Sequence, residues 1–275
     1  MPEGDTIFRA ARTLNRALAG QVVTRFDTQL PHLQRIHDDT PITSRTIEEV
    51  SAHGKWITMR FSGDLILLTH MLMSGSWHIY RPGEKWQRPR YDMRIVIGTN
   101  NFEAVAFKVP VAEFHTAASL TRRDGFSQLG PDILCGSFNA AQAIANLRGE
   151  PELQIGDTLL RQHVMAGLGN VYKSEVCFAC RVNPFRKVAT LTDSEVIDLI
   201  ATACKFLKAN VSDSAGDKIV TYGGFRRTTR RANPAERLWV YGRHGDPCRR
   251  CGNPIESRKQ GQDARVTFWC PTCQP

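Results

Sequence analysis

The sequence predicts a multidomain α+β protein with an N-terminal β-sandwich led by a helix, an all-helical section, and a small C-terminal cysteine module. Apolar residues are helically spaced at the start of the chain, form short β-type runs up to about residue 115, and then return to helical spacing, before two C-x-x-C pairs end the sequence. With 275 residues, 41% of them hydrophobic, the chain is long enough for more than one core. We place the domains at 1–125, 126–237 and 238–275.

The first element is an amphipathic helix. Apolar residues recur at helical spacing from about 5 to 19, with Asp5 or Thr6 as a candidate N-cap and Gly20 as a stop. Short runs rich in β-branched and aromatic residues follow, separated by Gly, Pro and Asn turns, which predicts a sandwich. These runs are 56–61, 65–69, 76–80 and 93–97.

Helical periodicity returns after Leu129-Gly130-Pro131-Asp132. The stretch from 210 to 234 is rich in Gly, Ser, Thr and Arg and is too polar to form a core. The helix candidates are 138–147, 158–164, 171–179 and 194–207.

The cysteine module carries the most specific pattern. Two C-x-x-C pairs, 18 residues apart, have the spacing of a tetrahedral zinc site, and the metal would replace the core that so short a segment lacks. We therefore predict one structural Zn²⁺. Its ligands are Cys248, Cys251, Cys270 and Cys273. The remaining cysteines lack a second pair and are expected to be buried structural thiols: Cys135, Cys177, Cys180 and Cys204.

Positive charge is concentrated at the C-terminal end. Residues 221–275 contain eleven Lys and Arg against four Asp and Glu, which supplies seven of the nine net positive charges of the chain. A basic patch of this kind suits a polyanion, either nucleic acid or an anionic membrane surface. No apolar run is long enough for a membrane span and no signal peptide is visible, so we expect a cytoplasmic protein with reduced thiols.

The amino terminus is a candidate nucleophile. Removal of Met1 would leave the secondary amine of Pro2 beside the carboxylate of Glu3, and such an amine attacks electrophilic carbon. A glycine-containing turn, Met165 to Tyr172, lies between two predicted helices, where Asn170 would cap the second helix and leave amides for an anion. Taken alone, the turn is also compatible with a simple helix–helix connection.

Two further segments are weak signals by themselves. Lys55 opens a predicted strand and could reach a phosphate or a proton-transfer site, although a lysine there is usually solvated. In the segment from His70 to Gly75, Leu72 or Met73 could be an exposed apolar wedge, although core packing is the ordinary interpretation.

Read together, these segments resemble the formamidopyrimidine-DNA glycosylase/endonuclease VIII family. The resemblance spans essentially the whole chain and rests on Pro2-Glu3-Gly4, Gly54-Lys55, Leu160 to Glu175, and the tail Trp239 to Arg243 with its cysteine pairs and Arg265. It implies a β-sandwich led by a catalytic helix, a helix-two-turns-helix domain and a zinc-finger hairpin, with damaged duplex DNA as partner, or single-stranded or bubble DNA. It further implies a monomeric, nucleoid-associated enzyme of base excision repair.

The resemblance also implies residue roles. Pro2 would attack the anomeric carbon of a damaged nucleotide, Glu3 would protonate the sugar ring oxygen, and Lys55 would assist β-elimination. Arg265 would bind phosphate and assist δ-elimination. The remaining DNA-binding residues are Gln128, Gly167, Gly169 and Asn170 at phosphates, with Leu72 and Met73 filling the space left by the extruded base.

Three positions depart from the family pattern. Thr6 stands where many relatives have Glu, and Gln128 stands where some endonuclease VIII sequences have Arg. No Arg-x-Phe wedge is visible near 101–104, which favours the endonuclease VIII branch and oxidised pyrimidines. The stretch 222–231 is a candidate lesion-capping loop for purines.

Two other classes of function are less favoured. A non-catalytic damaged-DNA-binding protein on the same scaffold would keep the zinc module but lose the terminal amine or Glu3, and both are present here. A dinucleotide-dependent enzyme would need a strand before the glycine turn and a third glycine, and Tyr172 occupies that glycine position.

Overall fold

The computed structural model describes residues 2–211, 228–229 and 237–275. The chain forms two compact units that meet in sequence at Ser127 and Gln128, and each is described by itself. The boundaries at 125/126 and 237/238 stay predictions. The candidate capping loop 222–231 lies outside the described residues except for Thr228 and Thr229. Among the described helices, none has the length and apolar character needed to span a membrane.

The first unit is a sandwich of two antiparallel four-stranded sheets, with strand orders β1-β6-β7-β5 and β2-β3-β4-β8. Its core joins the apolar face of the first helix to inward side chains of both sheets. The elements are α1 (Gly4–Leu18), β1 (Arg25–Thr28), α2 (Pro31–Asp39), β2 (Ile47–His53), β3 (Trp56–Phe61), β4 (Leu65–His70), β5 (Ser76–Tyr80), a 3₁₀ turn (Arg90–Asp92), β6 (Met93–Gly98), β7 (Glu103–Phe107), β8 (Val111–His115) and α3 (Ala117–Leu120).

Helix α1 begins at Gly4, one residue before the start that the periodicity predicted. Its N-cap is Glu3, whose backbone carbonyl accepts hydrogen bonds from the Thr6 and Ile7 N–H groups, and no side chain caps the helix. The prediction of Asp5 or Thr6 as the N-cap was therefore wrong. The backbone can begin the helix at Gly4 because Glu3 is held in an extended conformation with its carbonyl aligned to the helix axis.

The second unit contains helices and the C-terminal hairpin. Its elements are α4 (Ala140–Arg148), α5 (Ile155–Thr158), α6 (Asn170–Ala179), a 3₁₀ turn (Val188–Thr190), α7 (Asp193–Ala209), β9 (Glu256–Gln260) and β10 (Arg265–Trp269). The helix predicted over 158–164 does not form: a single turn ends at Thr158 and a hydrogen-bonded turn follows. Leu159 and Val164 are both fully buried, so their apolar spacing reflects core packing from a loop.

These elements confirm the predicted fold class. The sequence analysis named β3 to β6 but not β1, β2, β7, β8 or the short helix α2. For β1 and α2 the apolar signal is weak, because Phe26 is the only buried residue of β1 and Leu33 the only one of α2. Edge elements bury one face over a short length and so leave a weak periodic pattern.

One hydrogen bond connects α1 to the edge of the second sheet. The Val50 N–H of β2 donates to Asn15 Oδ1 at 2.8 Å, and β2 is an edge strand of its sheet. We expect Asn15→Ala to lower the free energy of unfolding by about 1–3 kcal/mol, because it leaves a partly buried N–H group without its acceptor.

Urea denaturation would measure the change. Asn15→Asp is the matched control, because its carboxylate keeps an acceptor for Val50 and should lose much less stability. Equal destabilisation by both variants would contradict this role for the Asn15 side chain.

Candidate active site and zinc centre

The amino terminus is built around a buried carboxylate. Glu3 is 0% exposed at the N-cap of α1, whereas the preceding Pro2 is only partly buried. Asp5 is also buried; its carboxylate accepts the Thr6 hydroxyl at 3.4 Å and lies 3.7 Å from the Arg9 guanidinium. The fold therefore holds a carboxyl group out of bulk water one residue after an accessible proline.

Lys55 lies in the tight turn between β2 and β3. Gly54 adopts a φ of 59°, a left-handed conformation that permits this turn, and Lys55 is partly buried. The next residue, Trp56, packs edge-on against the His70 ring at 4.7 Å, and the Arg123 guanidinium lies 4.5 Å above the Trp56 ring. The lysine is therefore placed beside a packed aromatic cluster.

His70 links this cluster to the predicted wedge. Burial, reinforced by the positive charges of Lys55 and Arg123, lowers the pKa of His70 to about 4. The imidazole is consequently neutral at pH 7, and its Nδ1 accepts the Leu72 N–H at 3.1 Å. Protonation would remove this acceptor.

The turn that follows His70 exposes two large apolar side chains. Leu72 has a φ of 45°, unusual for a residue with a branched side chain, and is 48% exposed, while Met73 is 62% exposed. Met71 is 2% exposed and anchors the turn in the core. The arrangement presents an apolar tip on a buried base, and its use as a wedge in DNA stays a prediction.

The sheet register shows which connection shares an end of the sheet with the Leu72–Met73 turn. Ser76 pairs with Phe107, and Phe107 with Met93, so the Leu72–Met73 turn enters at that end of the sheet. The segment 101–104 is at the opposite end, where Gly98 pairs with Glu103. The segment that shares an end of the sheet with the Leu72–Met73 turn is therefore 108–110 and not 101–104. The connection at the correct end, 108–110, is Lys-Val-Pro, and it also lacks an Arg-x-Phe sequence.

In the second unit, the side chain of Gln162 stabilises the glycine turn by hydrogen bonds to its backbone. Gly167 has a φ of 98° and its N–H donates to Gln162 Oε1 at 3.1 Å, while Gln162 Nε2 donates to the Leu168 carbonyl at 3.0 Å. The Gln162 carbonyl accepts the Gly130 N–H at 2.9 Å. Gln128, two residues earlier, is exposed.

Asn170 does not cap α6 as predicted. The N-cap is Gly169, which has no side chain to offer, and Asn170 is the first helical residue. Its Nδ2 instead donates to the Val266 carbonyl in β10 at 2.9 Å, and its buried Oδ1 has no hydrogen-bond partner in the described part of the chain. Asn170 thus joins the helix N-terminus to the hairpin strand that carries Arg265.

Arg265 begins β10, directly after the turn that joins the two strands of the hairpin, and is exposed. Its cross-strand partner is Gln260, and the Arg265 Nε lies 3.9 Å from Asp263 Oδ2. An exposed pair at this distance contributes little to stability. The guanidinium therefore remains accessible to an anion.

Sequence reasoning gave no role to three consecutive buried polar residues of α6: Lys173, Ser174 and Glu175 are each 0% exposed. Ser174 Oγ accepts the Phe268 N–H of β10 at 3.2 Å. These three polar residues lie in a helix that is buried on every side, where each polar group requires a partner. Polar residues within such a helix therefore indicate buried hydrogen bonds.

The four C-terminal cysteines converge. Their Sγ atoms all lie within 4.8 Å of one another, with Cys248 and Cys273 3.9 Å apart and Cys251 and Cys270 3.5 Å apart. Four thiolates bound to zinc at about 2.3 Å in a tetrahedron lie about 3.8 Å from each other, so the arrangement fits one zinc ion. The thiols form no disulfide.

The surrounding hydrogen bonds orient the thiols. The Arg250 N–H donates to Cys248 Sγ at 3.4 Å, and a backbone hydrogen bond from Asn253 is the main cause that lowers the pKa of Cys251 to about 7. The Gln274 side chain accepts the Cys270 N–H at 2.9 Å and donates to the Val182 carbonyl at 2.8 Å. The site is therefore preformed and connected to the helical part of its unit.

The other cysteines are less uniform than predicted. Cys177 is buried, and burial raises its pKa to about 12, as expected for a structural thiol. Cys180 and Cys204 are partly buried, and burial raises their pKa values as well. Cys135 is exposed, so the expectation of burial was wrong for this residue; it lies in a surface turn without helical periodicity.

The fold resembles that of a known class of DNA-repair enzymes. A crystal structure described as a complex between Lactococcus lactis Fpg and abasic-site DNA superposes with a TM-score of 0.83 at 21% identity, covering 100% of both chains. Family models match three segments of this chain: the formamidopyrimidine-DNA glycosylase N-terminal domain at 1–110, its H2TH domain at 129–221, and a zinc finger found in FPG and IleRS at 245–275. The chain therefore carries one structural zinc site.

Sequence comparison assigns the family. A probable endonuclease 8 2 of Streptomyces coelicolor is 39% identical, covering 100% of this chain and 94% of that protein. The Nei2 protein of Mycolicibacterium smegmatis, named DNA-(apurinic or apyrimidinic site) lyase, is 35% identical over 100% of this chain and 99% of its own length. This chain belongs to the formamidopyrimidine-DNA glycosylase/endonuclease VIII family, and these relatives place it in the endonuclease VIII-like branch. A formamidopyrimidine-DNA glycosylase of Heliobacterium modesticaldum is 29% identical over 100% of both chains.

The zinc site generates a prediction about the hairpin. Purified protein should contain one zinc per chain, and replacing Cys251 by Ala should abolish binding of the metal, because three thiolates leave the tetrahedral site incomplete. Hydrogen exchange of the β9 and β10 amides should then accelerate, while exchange in the sandwich should not change.

Cys135→Ala is the control, since this exposed cysteine is outside the cluster and its loss should leave the zinc content at one per chain. A protein without stoichiometric zinc whose hairpin amides are still protected would contradict the prediction.

Proposed function

We propose that this protein is a bifunctional DNA glycosylase and abasic-site lyase of base excision repair. The observation that carries the proposal is the accessible Pro2 followed by a fully buried Glu3 at the start of α1. Two relatives support it by name, an endonuclease 8 2 and a DNA-(apurinic or apyrimidinic site) lyase. The family resemblance of the terminus, present in the sequence alone, agrees with this chemistry.

The proposed reaction starts once Met1 has been removed. The neutral amine of Pro2, whose ordinary pKa is about 8, forms a bond to C1′ of the damaged nucleotide, and the bond from C1′ to the base breaks with the electron pair leaving on the base. The proline nitrogen gives up its proton to the departing base. Glu3 then donates a proton to the ring oxygen, so that the bond from C1′ to that oxygen breaks, the sugar opens and an iminium joins C1′ to the proline nitrogen.

Strand cleavage then follows by elimination. Loss of a proton from C2′ of the iminium expels the 3′ phosphate, and Lys55 is the proposed base or base-positioning group in this β-elimination. A second elimination expels the 5′ phosphate, assisted by Arg265. Water finally hydrolyses the iminium and returns the Pro2 amine.

DNA binding is proposed to use both units. Gln128, the Gly167–Gly169 turn and Asn170 would contact phosphates near the extruded nucleotide, as would Arg265. Leu72 and Met73 would enter the stack in its place, which offsets part of the few kcal/mol that flipping costs. The proposed partner is damaged double-stranded DNA.

A non-catalytic damaged-DNA-binding protein is the alternative function. Such a protein would use the zinc hairpin and the basic tail but would have no need for a secondary amine beside a buried carboxyl group. The adjacency of Pro2 and the buried Glu3 favours the enzyme, because it holds an amine and a proton donor next to each other in the chain.

Borohydride reduction tests the covalent step. With lesion-bearing duplex, wild-type protein should give a stable protein–DNA adduct that maps to the N-terminal peptide, because reduction converts the iminium into an amine. Glu3→Gln should slow base excision by about 10²–10⁴-fold, the usual contribution of a general acid. An adduct that maps to Lys55 would overturn the assignment of Pro2.

The same experiment discriminates the alternative. A protein that binds lesion-bearing DNA but gives no adduct, with Met1 shown by mass spectrometry to be absent, would be a binding protein. Glu49→Gln is the matched control, because this exposed carboxylate on β2 in the same unit should not affect excision.

Lesion preference is a further proposal. The connection 108–110 and the segment 101–104 both lack an Arg-x-Phe wedge, so Leu72 and Met73 are the proposed fillers, and we expect oxidised pyrimidines to be favoured. Thymine glycol, 5-hydroxyuracil, dihydrouracil and abasic sites should be processed faster than 8-oxoguanine opposite cytosine in single-turnover reactions on matched oligonucleotides. If 8-oxoguanine were excised faster than every oxidised pyrimidine tested, the pyrimidine assignment would be wrong.

A further inference from the structure

We infer that Lys173, a fully buried lysine of α6, is a positioning residue that sets the orientation of Arg265. Lys173 is 0% exposed, and its Nζ donates to Thr267 Oγ1 in β10 at 2.6 Å. Thr267 is itself 0% exposed and stands two residues after Arg265. The inference rests on the proposed function only in what it assigns to Arg265.

The contact is the first link of a buried polar chain. Thr267 Oγ1 donates to Gln260 Oε1 at 2.7 Å, and Gln260 Nε2 donates to Gln154 Oε1 at 2.9 Å and to the Pro184 carbonyl at 2.8 Å. The first of these bonds crosses the hairpin from β10 to β9, and the other two join the hairpin to the residue before α5 and to the loop at Pro184. Because the chain is buried, breaking one link leaves a polar group without its partner, which makes the arrangement strongly preferred over alternatives.

Arg265 is held by its neighbours on this chain. In the ladder it is directly opposite Gln260, and it shares a strand face with Thr267, since residues two apart on a strand point to the same side. The carbonyl of Val266, between Arg265 and Thr267, accepts the Asn170 amide at 2.9 Å. The two residues that follow Arg265 are therefore each held by a contact from α6.

The chemistry explains why a lysine suits this position. A long, unbranched side chain spans from α6 to β10, and its ammonium keeps three donors of which Thr267 accepts one. An apolar residue of similar length would fill the volume, and replacement of buried charge by apolar side chains is often tolerated in the fold. It could not donate to Thr267, so the hairpin would lose this link while the zinc site remained.

The expected consequence is specific to the second elimination and to phosphate contact. Base excision and β-elimination are assigned to Pro2, Glu3 and Lys55 in the other unit, and their chemistry does not require Lys173. A hairpin with freer orientation would present Arg265 less accurately, and misplacement of a group by about 1 Å is enough to reduce its contribution substantially.

The test is a double-mutant cycle read out as product ratio. Duplex with one abasic site is incised by wild type, Lys173→Met, Arg265→Ala and the double variant, and the ratio of δ- to β-elimination product is measured at equal extents of incision. This ratio does not depend on the fraction of active protein, so partial unfolding alone would not change it.

We expect Lys173→Met to lower the ratio by about tenfold in the wild-type background and to have almost no further effect on Arg265→Ala, since residues in one network are non-additive. Thr267→Val, which keeps the lysine but breaks the link, should behave like Lys173→Met. Lys205→Met, which removes an exposed lysine from α7 in the same unit, should leave the ratio unchanged.

Other outcomes separate the possible failures. A full effect of Lys173→Met on the Arg265→Ala background, or a normal ratio in Thr267→Val, would overturn the positioning role. If wild type showed no incision, the proposed function would have failed, and if Arg265→Ala had the wild-type ratio, the role proposed for Arg265 in the second elimination would have failed. The Lys173 link would then be judged by whether Lys173→Met and Thr267→Val, but not Lys205→Met, accelerate amide exchange in β10; unchanged exchange in the first two would overturn it.

Discussion

The second unit depends on the carboxylate of Glu175. This side chain is 0% exposed and accepts four hydrogen bonds: from the Thr228 hydroxyl and from the backbone N–H groups of Trp239, Val240 and Tyr241 at 2.8–2.9 Å. A buried carboxylate is stable only when it is fully satisfied, and here the partners are the amides that lead into the zinc module. The direction in which the module leaves the helical part is therefore set by one acid on α6.

Helix α6 is consequently the structural centre of its unit. Its first residue bonds the hairpin backbone, and Lys173, Ser174 and Glu175 hold β10 and the segment before the zinc site. The zinc ion replaces a core that the hairpin is too short to form, while α6 supplies its orientation. Metal and helix have separate tasks: the first keeps the hairpin folded, and the second determines where Arg265 lies.

In the first unit, burial controls the surroundings of two titratable side chains, Glu3 and His70. Burial of Glu3 excludes water from a carboxyl group, and the low pKa of His70, about 4, keeps its ring neutral and able to accept the Leu72 N–H. Lys55 and Arg123 supply the positive charges that, together with burial, lower the pKa of His70. His70 also contacts Trp56 and accepts the Leu72 N–H, and it therefore connects the Lys55 turn to the exposed tip at Leu72 and Met73. Strained backbone at Leu72 is tolerated because Met71 is buried below it.

The sequence alone determined what depends on local pattern: the N-terminal helix, the strands β3 to β6, the helices α4, α6 and α7, and the four zinc ligands, whose spacing is a local requirement of the metal. It also indicated the pairing of Pro2 with Glu3, because the two are adjacent. Only the tertiary structure decided what depends on distant partners. It showed that Asn170 bonds Val266 rather than capping its helix, that Leu159 and Val164 are buried from a loop, and that the end of the sheet carrying Leu72 is reached by 108–110 and not by 101–104. The physical reason is that a periodic pattern records burial but not the identity of the covering element, and a buried polar side chain such as Lys173 is read as solvated until its partner in β10 is known.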